Sequence, residues 1–475
     1  MSTPVEIVFV CLLGYFLLLN ALYFAITVAA LAQLHRESGR RYLDYSRFSA
    51  SAANLPLSII MPAYNEALIL ADTVSAMLDS VYSEFEVIVV NDGSTDDMVQ
   101  VAIDVFDMEP HDVFHPAPIP CSPIRGSYRS RLHPNLWLID KENGGAADAL
   151  NAGLNFARYP VVAHVDADCV VDPEAVAQLM RPINFAPDQV VIVGATLRLT
   201  NGLTVSDGEI TGESLPEHLV ERFQVIEYLS AFVVNRLGWG ALNSVPVISG
   251  GCGVWPKRVL MEMGGFSTAD THYDIEATIH AHAVLRAEGV RYQMRNIPEA
   301  TVWTQVPTTW RDLLIQRKRW QRVVFEMLWK YRRLIFNPGY GYFGMLGMPY
   351  LLLFEGMGPF VETVAYVLVV VLACLGMLSF PALLLFLAFS FGLTAAVRVM
   401  SLLADVIYFR VYPRRHLLAL AGLALLEPPV YHVAQLPYRM VAFVEFLRGQ
   451  RTHETLVRTA IATEGGSPEA GRFSL

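Results

Sequence analysis

The chain has 475 residues, of which 53% are hydrophobic and only 17% are charged, and this composition excludes a wholly soluble protein. Its formal net charge of −10 argues against general nucleic-acid binding. The same charge would repel an anionic nucleotide unless a metal ion or local basic side chains intervene, so a metal ion is expected. The five cysteines are scattered without zinc-site spacing, which indicates reduced cytosolic thiols.

The first predicted element is an N-terminal membrane helix. No charge interrupts residues 7–34, a run that at about 1.5 Å per helical residue exceeds the roughly 30 Å hydrocarbon core. A cleaved signal peptide is the alternative, but a basic start and a cleavage site are missing. We expect an anchor at residues 1–35 and a linker at 36–56. The basic residues that follow the anchor are Arg36, Arg40 and Arg41. They indicate that the next domain is cytoplasmic and the N-terminus outside.

Short apolar runs then alternate with helical patterns. The apolar runs cover residues 57–61, 85–90, 136–139 and 161–165, and the helical patterns cover 67–78, 146–156 and 173–180. This alternation predicts an α/β domain with a mostly parallel sheet covered on both faces, which we assign to residues 57–306. Ligands of such sheets bind beyond the carboxyl ends of the strands. Polar clusters lie at those ends.

Two of these strand ends suit a nucleobase. Tyr64 follows the first apolar run and Asp92 follows the second. An aromatic face can stack on uracil while a carboxylate accepts its N3 proton. The alternative is that both residues simply form turns at strand ends.

A further strand end carries two carboxylates, Asp166 and Asp168. If the strand continues, side chains two residues apart point to the same face. Such a pair suits a hard divalent cation, Mg²⁺ or Mn²⁺, that also binds phosphate oxygens. The alternative is an ordinary loop, where this spacing is common.

A glycine-rich stretch at residues 248–266 and a helix with an acidic start come next. The glycines around Cys252 let the backbone approach a ligand closely. A nucleophilic role for Cys252 is rejected, because no histidine is placed by the sequence to activate it. Asp274 opens the helix, where it suits either proton transfer or a simple helix cap.

Residues 308–334 then form an amphipathic pattern that contains Gln316, Arg319 and Trp320. We assign residues 307–345 to an interface helix. The alternative to a role in the site is a basic helix that lies on the membrane. The basic residues that suit this alternative are Arg317, Lys318, Arg322, Arg332 and Arg333.

Membrane segments return at residues 346–447. Residues 363–397 are free of charge, and Pro381 beside Ser379 divides them into two predicted spans. Residues 416–447 are also apolar, but Pro428-Pro429 interrupts them and both flanks are basic. We expect a re-entrant or interfacial hairpin there, with two short kinked crossings as the alternative. A cytoplasmic tail is expected at residues 448–475.

The order of these motifs resembles the membrane-embedded processive β-glycosyltransferases of glycosyltransferase family 2, which include cellulose, chitin, hyaluronan and poly-N-acetylglucosamine synthases. The resemblance covers roughly residues 57–359 and is most specific in the run from Gln316 to Trp320. It implies a GT-A-type nucleotide-sugar domain inserted between transmembrane helices. It also implies a multi-pass protein of the plasma membrane with a cytoplasmic catalytic domain.

The resemblance also implies roles for single residues. The uridine-binding positions are Tyr64, Asp92 and, with weaker correspondence, Glu66. The metal-binding positions are Asp166 and Asp168. Asp274 matches the general base and Arg319 the residue that stabilises the leaving diphosphate. The acceptor-binding positions are Cys252, Gly253, Gln316 and Trp320, of which Trp320 stacks on the terminal sugar.

Two positions depart from the family pattern. Ala146 stands where the family has a lysine near the nucleotide phosphates. Tyr273 stands where the family has a glutamate beside the general base. Either departure could weaken the activity or alter the donor site.

The sequence therefore predicts an inverting glycosyltransferase that uses a UDP-sugar donor and Mg²⁺ or Mn²⁺. It would elongate a β-linked polysaccharide and pass it through the lipid bilayer. One alternative is a single transfer to a lipid acceptor, and another is a catalytically weakened scaffold of a synthase or export complex. Export or regulatory subunits are candidate partners, and no nucleic-acid partner is expected.

Overall fold

The structure is a computed structural model that describes residues 3–38, 51, 53–112, 117–186, 188–206, 209–211, 214–270 and 272–449. The described residues form two compact units. The sheet unit holds those of 40–214 and 243–305, and the helical unit holds those of 1–39, 215–242 and 306–454. Most of the predicted linker and nearly all of the predicted tail lie outside the described residues.

The sheet unit contains twelve strands among its described residues. They are β1 Leu57–Ala63, β2 Phe85–Asp92, β3 Met108–Pro110, β4 Ile124–Ser130, β5 Leu136–Lys141, β6 Val161–Val165, β7 Cys169–Val171, β8 Val190–Leu199, β9 Thr204–Ser206, β10 Glu209–Thr211, β11 Cys252–Pro256 and β12 Tyr292–Thr304. Ten of them form one sheet in the order β3-β4-β5-β2-β1-β6-β11-β8-β12-β7, and β9 pairs with β10.

The predicted α/β class is confirmed, but the sheet is mixed. Strands β5, β2, β1 and β6 run parallel, as do β8 and β12. Strand β11 is antiparallel to both of its neighbours, β6 and β8. Every residue of β1 and β6 is buried, which explains their continuous apolar runs. Strand β4, before β6 in the chain, is also antiparallel to its neighbours β3 and β5, and the alternation of apolar runs and helical patterns indicated neither β4 nor β11.

The helices of the sheet unit pack around this sheet. Their bounds are Leu70–Leu78, Met98–Phe106, Ala146–Phe156, Ala175–Asn184, Lys257–Glu262 and Tyr273–Ala287. The Ala146–Phe156 helix packs on β1 and β2. Because β11 runs against β6, the amino end of β11 meets the carboxyl end of β6 at one edge of the sheet.

The helical unit is built from longer apolar helices joined by short π-helical and 3₁₀ turns. Its α-helices are Thr3–Ser38, Leu219–Tyr228, Arg236–Ala241, Trp310–Lys330, Met348–Tyr350, Gly358–Cys374, Phe380–Leu387, Leu393–Tyr408, Arg414–Leu426 and Val433–Leu447. Among the described residues, three continuous helices are long and apolar enough to cross a membrane: Val5–Glu37, Phe380–Tyr408 and Arg415–Leu447. Phe343–Gly356 and Gly358–Cys374 form a further candidate that bends by 43°.

The hairpin predicted for residues 416–447 is wrong, because one helix runs from Arg415 to Leu447. Pro428 and Pro429 lie in a π-helical turn, Glu427–His432, inside that helix. Prolines cannot donate a backbone hydrogen bond. In a π-helical turn each amide bonds the carbonyl five residues earlier, one residue further back than in an α-helix. The chain therefore passes the two prolines without reversing direction.

The break predicted near Pro381 is present. The chain leaves helical conformation after Gly358–Cys374 and re-enters it at Phe380. Ser379 caps the new helix, and its hydroxyl accepts a hydrogen bond from the Ala382 amide at 3.4 Å. Proline follows directly in the first turn, where its missing amide hydrogen has no cost.

The predicted domain at residues 57–306 is interrupted by a segment of the helical unit. Residues 215–242 belong to that unit, where Val220 and Phe223 pack with Leu313 and Tyr431. Its first helix has ten residues and carries charged side chains, so its composition did not distinguish it from the sheet unit.

Gly238 offers a test of packing in the helical unit. A Cβ atom at Gly238 would lie 2.3 Å from the carbonyl oxygen of Ile26 in the first helix. We expect Gly238→Ala to lower the free energy of unfolding by about 1–3 kcal/mol, because the two backbones must separate. Chemical unfolding in detergent measures this loss. Gly14→Ala is the control, since a Cβ there meets nothing within 4 Å. An equal loss in both variants would contradict the close-contact explanation.

Candidate active site

Asp166 and Asp168 lie in a tight turn between β6 and β7. The Cys169 amide donates to the Asp166 carbonyl at 3.0 Å and closes the turn. The strand therefore ends at Val165, so the condition that it continues through Asp168 is not met. The turn nevertheless keeps the two carboxylates close enough to interact. Burial and then the charge of Asp168 raise the pKa of Asp166 to about 7, and burial also raises the pKa of Asp168.

This pair of carboxylates fits a cation that arrives with a nucleotide. Over the part of the chain that the structure describes, no group of three or more His, Cys, Asp or Glu could hold a metal ion. A cation at Asp166 and Asp168 would leave coordination positions for ligands such as phosphate oxygens and water. Mg²⁺ and related ions are commonly held in this way, by one or two carboxylates together with substrate phosphates and water. The donor set does not suit a structural metal.

Asp274 lies next to this turn, in the first turn of the helix Tyr273–Ala287. One carboxylate oxygen accepts a hydrogen bond from the Gly250 amide at 3.2 Å, and the other accepts from the Ile275 amide at 2.8 Å. The charge of Asp274 contributes to the raised pKa of Asp166. The structure thus brings together the predicted metal ligands and the predicted general base.

Gly250 occupies the centre of this group. A Cβ atom there would lie 3.0 Å from the Tyr273 hydroxyl and 3.2 Å from an Asp166 carboxylate oxygen. A glycine therefore leaves room for both side chains while its amide holds Asp274. Gly250 is thus a residue of the glycine-rich stretch that contacts Asp274 directly.

Cys252 and Gly253 lie in β11 instead of on an open surface. Cys252 is only 2% exposed, and burial raises the pKa of its thiol to about 12. A Cβ at Gly253 would lie 2.5 Å from the Ile248 side chain and 2.6 Å from His164. Both residues are packed inside the sheet, so this placement gives no support to the acceptor contacts predicted for them.

Tyr64 and Asp92 lie side by side at the sheet edge, as predicted. Ala63, the last residue of β1, is in register with Asn91 of β2. Tyr64, which follows β1, therefore lies beside Asp92, the last residue of β2. Tyr64 is half-buried. Glu66 is buried, and its carbonyl accepts from the Leu70 amide at the start of the next helix.

The carboxylate of Asp92 is bound by the protein itself. Lys141 Nζ lies 2.5 Å from it, and the amides of Gly144 and Gly145 donate to it at 3.0 and 2.7 Å. Both carboxylate oxygens therefore already accept hydrogen bonds, and Asp92 is only 3% exposed. This arrangement does not favour direct acceptance of the uracil N3 proton. Instead, Asp92 shapes the loop that precedes the Ala146–Phe156 helix.

Lys141 is a buried charged residue of this sheet edge that the sequence prediction missed. Its side chain is fully buried and forms ion pairs with Asp92 at 2.5 Å and Asp148 at 2.6 Å. Lys141 ends β5 and is in register with Asp92 at the end of β2. The sequence did contain a signal for this ion pair, because Asp92 and Lys141 are charged residues of opposite sign at the ends of two apolar runs. Ala146 is exposed, so a buried lysine five residues earlier provides the cation of this cluster.

Gln316, Arg319 and Trp320 lie on the Trp310–Lys330 helix of the helical unit. Trp320 is 37% exposed, and the Arg317 guanidinium lies 4.1 Å from the centre of its ring. The side-chain oxygen of Gln316 is buried without a hydrogen-bond partner in the described structure. The roles predicted for these three residues stay predictions.

Three basic residues of this helix form ion pairs inside the helical unit. Arg317 is buried and pairs with Glu227 at 2.7 Å, and Lys318 pairs with Glu445 at 2.9 Å. Arg322 is also buried and lies 3.5 Å from Glu326. These contacts hold three of the basic side chains, and the interface helix stays a prediction.

The chain belongs to the glycosyl transferase family group 2, whose model matches residues 161–400. The model of glycosyl transferase family 2 matches residues 58–115. Together these matches cover the strands and turns that carry Tyr64, Asp92, Asp166 and Asp274. They confirm the family predicted from the order of the motifs.

Curated relatives and a solved structure agree with this family. The chain is 25% identical over 273 residues to the poly-beta-1,6-N-acetyl-D-glucosamine synthase of Staphylococcus epidermidis, covering 57% of this chain and 55% of the relative. The chain is also 26% identical over 273 residues to the poly-beta-1,6-N-acetyl-D-glucosamine synthase of Staphylococcus aureus strain COL, again covering 57% of this chain and 55% of the relative. The match thus spans about half of each relative. The mannosyltransferase PcManGT from Pyrobaculum calidifontis, solved with GDP-Man and Mn²⁺, has a TM-score of 0.53 and 18% identity over 90% of this chain and 100% of that chain. This likeness confirms the GT-A-type fold.

The raised pKa of Asp166 predicts a pH-dependent stability. An ordinary aspartate has a pKa near 3.9, so between about pH 4 and pH 7 the folded chain holds a proton that the unfolded chain releases. The contribution of the Asp166 carboxyl to the free energy of unfolding is therefore present at low pH and is lost as the pH rises through 7. We expect Asp166→Asn to raise the unfolding temperature of the metal-free protein at pH 8 and to have little effect below pH 4.

Thermal unfolding in chelator across this pH range measures the difference. Asp104→Asn, which changes an exposed carboxylate of the same unit, is the control. If the unfolding temperatures of Asp166→Asn and Asp104→Asn show the same dependence on pH, the raised pKa of Asp166 is not the cause of the effect.

Proposed function

We propose that this chain is a membrane-integrated inverting glycosyltransferase that transfers sugar from a UDP-sugar onto a growing β-linked glycan. The observation that carries this proposal is the placement of Asp274 beside Asp166 at one sheet edge, with the Gly250 amide 3.2 Å from the Asp274 carboxylate. A proton acceptor and a pair of metal-binding carboxylates are the two components that direct displacement at an anomeric carbon requires.

Asp274 is suited to take the proton of the acceptor hydroxyl. The two amides that donate to its carboxylate fix its orientation without neutralising its charge. As the acceptor oxygen attacks the anomeric carbon, its proton moves to Asp274 and the sugar–phosphate bond breaks, which inverts the configuration. A divalent cation at Asp166 and Asp168 would supply positive charge to the departing diphosphate. By resemblance, Arg319 contributes further positive charge and Trp320 stacks on the acceptor sugar.

Three considerations support a nucleotide-sugar donor. The carboxyl ends of β1, β2 and β6 meet at one edge, where ligands of such sheets bind. The GDP-Man and Mn²⁺ bound in the Pyrobaculum mannosyltransferase support a nucleotide sugar with a divalent cation. The naming of the staphylococcal relatives supports an N-acetylhexosamine polymer as product. UDP as the nucleotide rests on the resemblance of Tyr64 and Asp92 to uridine-binding positions.

The contacts at the two departures favour an enzyme over a degraded scaffold. Lys141 supplies a buried cation between Asp92 and Asp148, so the cluster contains a positive charge although position 146 is alanine. Tyr273 forms a hydrogen bond to Asp166. Both positions thus lie in or beside ordered polar clusters, which favours an intact site over a degraded one.

A polar cavity supports passage of a glycan through the helical unit. The cavity of about 210 Å³ is lined by residues that include Tyr23, Tyr366, Glu362 and Arg398. Several of these lie in helices that are long and apolar enough to cross a membrane. Ionisable residues inside such helices are costly and usually serve a function. Aromatic rings beside charged groups suit the faces and hydroxyls of a sugar chain.

The general-base role predicts the effect of Asp274→Asn. The substitution keeps the size of the side chain but removes proton acceptance, so we expect transfer to fall by roughly a hundred- to ten-thousand-fold with nearly normal UDP binding. UDP release and UDP binding, measured on the same purified preparation, separate the two effects. Asp270→Asn, a nearby carboxylate that bonds Ser267, is the control. Normal turnover of Asp274→Asn would refute the assignment.

Processive synthesis predicts a long product. Inverted membrane vesicles receive UDP-glucose or UDP-N-acetylglucosamine separately, and we expect a ladder or a high-mass polymer from one of them. Passage through the membrane protects this polymer from added β-glycanase until detergent opens the vesicles. A monoglycosylated lipid without longer products would instead indicate the lipid transferase. Absence of both product and UDP release from every donor would indicate the scaffold.

A further inference from the structure

Tyr273 holds a carboxylate of the candidate metal site. Its hydroxyl donates a hydrogen bond to one oxygen of Asp166 at 2.9 Å, and the Gly250 carbonyl lies 3.5 Å from the same hydroxyl. Because Asp166 lies in a turn outside any strand ladder, its side chain depends on such contacts for its orientation.

The ring of Tyr273 is itself fixed by its neighbours. His164 and Phe266 meet it edge-on, with ring centres 5.7 and 5.5 Å away and interplanar angles of 89° and 82°. His164 is in turn bonded to the Ser249 carbonyl at 3.0 Å. The hydroxyl therefore points at Asp166 from a rigid support instead of from a mobile side chain.

Tyr273 also links the metal-binding turn to the helix of the general base. It is the residue before Asp274, whose carboxylate accepts from the Gly250 amide at 3.2 Å. Gly250 thus contacts Asp274 through its amide and lies beside Tyr273 and Asp166 as well. A shift of Tyr273 would change the position of Asp166 relative to Asp274.

The chemistry of a tyrosine differs from that of the glutamate usual at this position. A glutamate would add a fourth negative charge to Asp166, Asp168 and Asp274. A neutral hydroxyl occupies one oxygen of Asp166 as a donor and leaves the other oxygen for a cation. A cation would therefore meet less negative charge and a different set of free oxygens with tyrosine at this position than with glutamate.

We propose that Tyr273 is a positioning residue of this chain, which orients Asp166 so that a single carboxylate oxygen faces the divalent cation. The inference rests on the proposed function, because the cation is the one expected with the nucleotide sugar. Tyr273 takes no part in proton transfer. Its loss should weaken cation binding far more than it lowers the maximal rate.

Tyr273→Phe tests this role, since it removes the hydroxyl and keeps the ring. The matched control is Tyr292→Phe. It removes the 2.7 Å hydrogen bond between the Tyr292 hydroxyl and His282, which lies on the same helix as Tyr273. This contact does not involve Asp166. Binding of Mn²⁺ with UDP present is followed by the loss of the free Mn²⁺ electron paramagnetic resonance signal. UDP release is then measured as a function of Mn²⁺ concentration.

For Tyr273→Phe, we expect the dissociation constant and the half-activating concentration of Mn²⁺ to rise about three- to tenfold, with the rate at saturating Mn²⁺ within about threefold of the parent. Tyr292→Phe should match the parent in both. An unchanged Mn²⁺ affinity in Tyr273→Phe, or an equal loss in both variants, overturns the positioning role while the proposed function stands. If the parent protein neither binds Mn²⁺ nor releases UDP, the proposed function fails and the inference fails with it.

Discussion

Repulsion among three carboxylates is the physical constraint on which the candidate site depends. Asp166, Asp168 and Asp274 lie at one sheet edge, and burial, followed by the charges of Asp168 and Asp274, raises the pKa of Asp166. The fold opposes this repulsion with dipoles: backbone amides reach Asp274, and the tyrosine hydroxyl reaches Asp166. A cation at this edge would remove an electrostatic cost that folding has already incurred, which is why the proposed function places it there.

A second group of carboxylates at the same sheet edge is partly neutralised by the protein itself. Asp92 and Asp148 are also close together, but Lys141 lies between them and neutralises part of their charge. No lysine or arginine is paired in this way with Asp166 among the contacts of the described residues. The proposed function assigns the cation to Asp166 and Asp168 for this reason.

Local patterns in the sequence were sufficient for much of the fold. Strands β1, β2, β5 and β6 were recognised because burial on both faces requires continuous apolar runs. The antiparallel β11 and the continuous helix through Pro428 were not, because the first depends on distant pairing and the second on a π-helical turn. Composition also could not show that residues 215–242 pack with the helical unit.

The sequence indicated the residues of the candidate site but few of their contacts. Asp166, Asp168 and Asp274 were predicted from the order of their motifs, and the structure brings them together. The contacts of Lys141 and Tyr273 were missed because each joins positions far apart in the chain, 49 residues for Lys141 and Asp92 and 107 for Tyr273 and Asp166. The glycine-rich stretch gave no sign that Cys252 enters a central strand, because that depends on pairing with distant residues.

The burial of Lys141 affects how this edge of the sheet responds to salt. Ion pairs exposed to water weaken as ionic strength rises, whereas buried pairs are screened much less. The side chain of Lys141 is fully buried and pairs with Asp92, whose carboxylate accepts from the Gly144 and Gly145 amides. A lysine at the exposed position 146 would face the solvent instead. The loop is thus anchored to an ion pair that dissolved salt weakens only slightly.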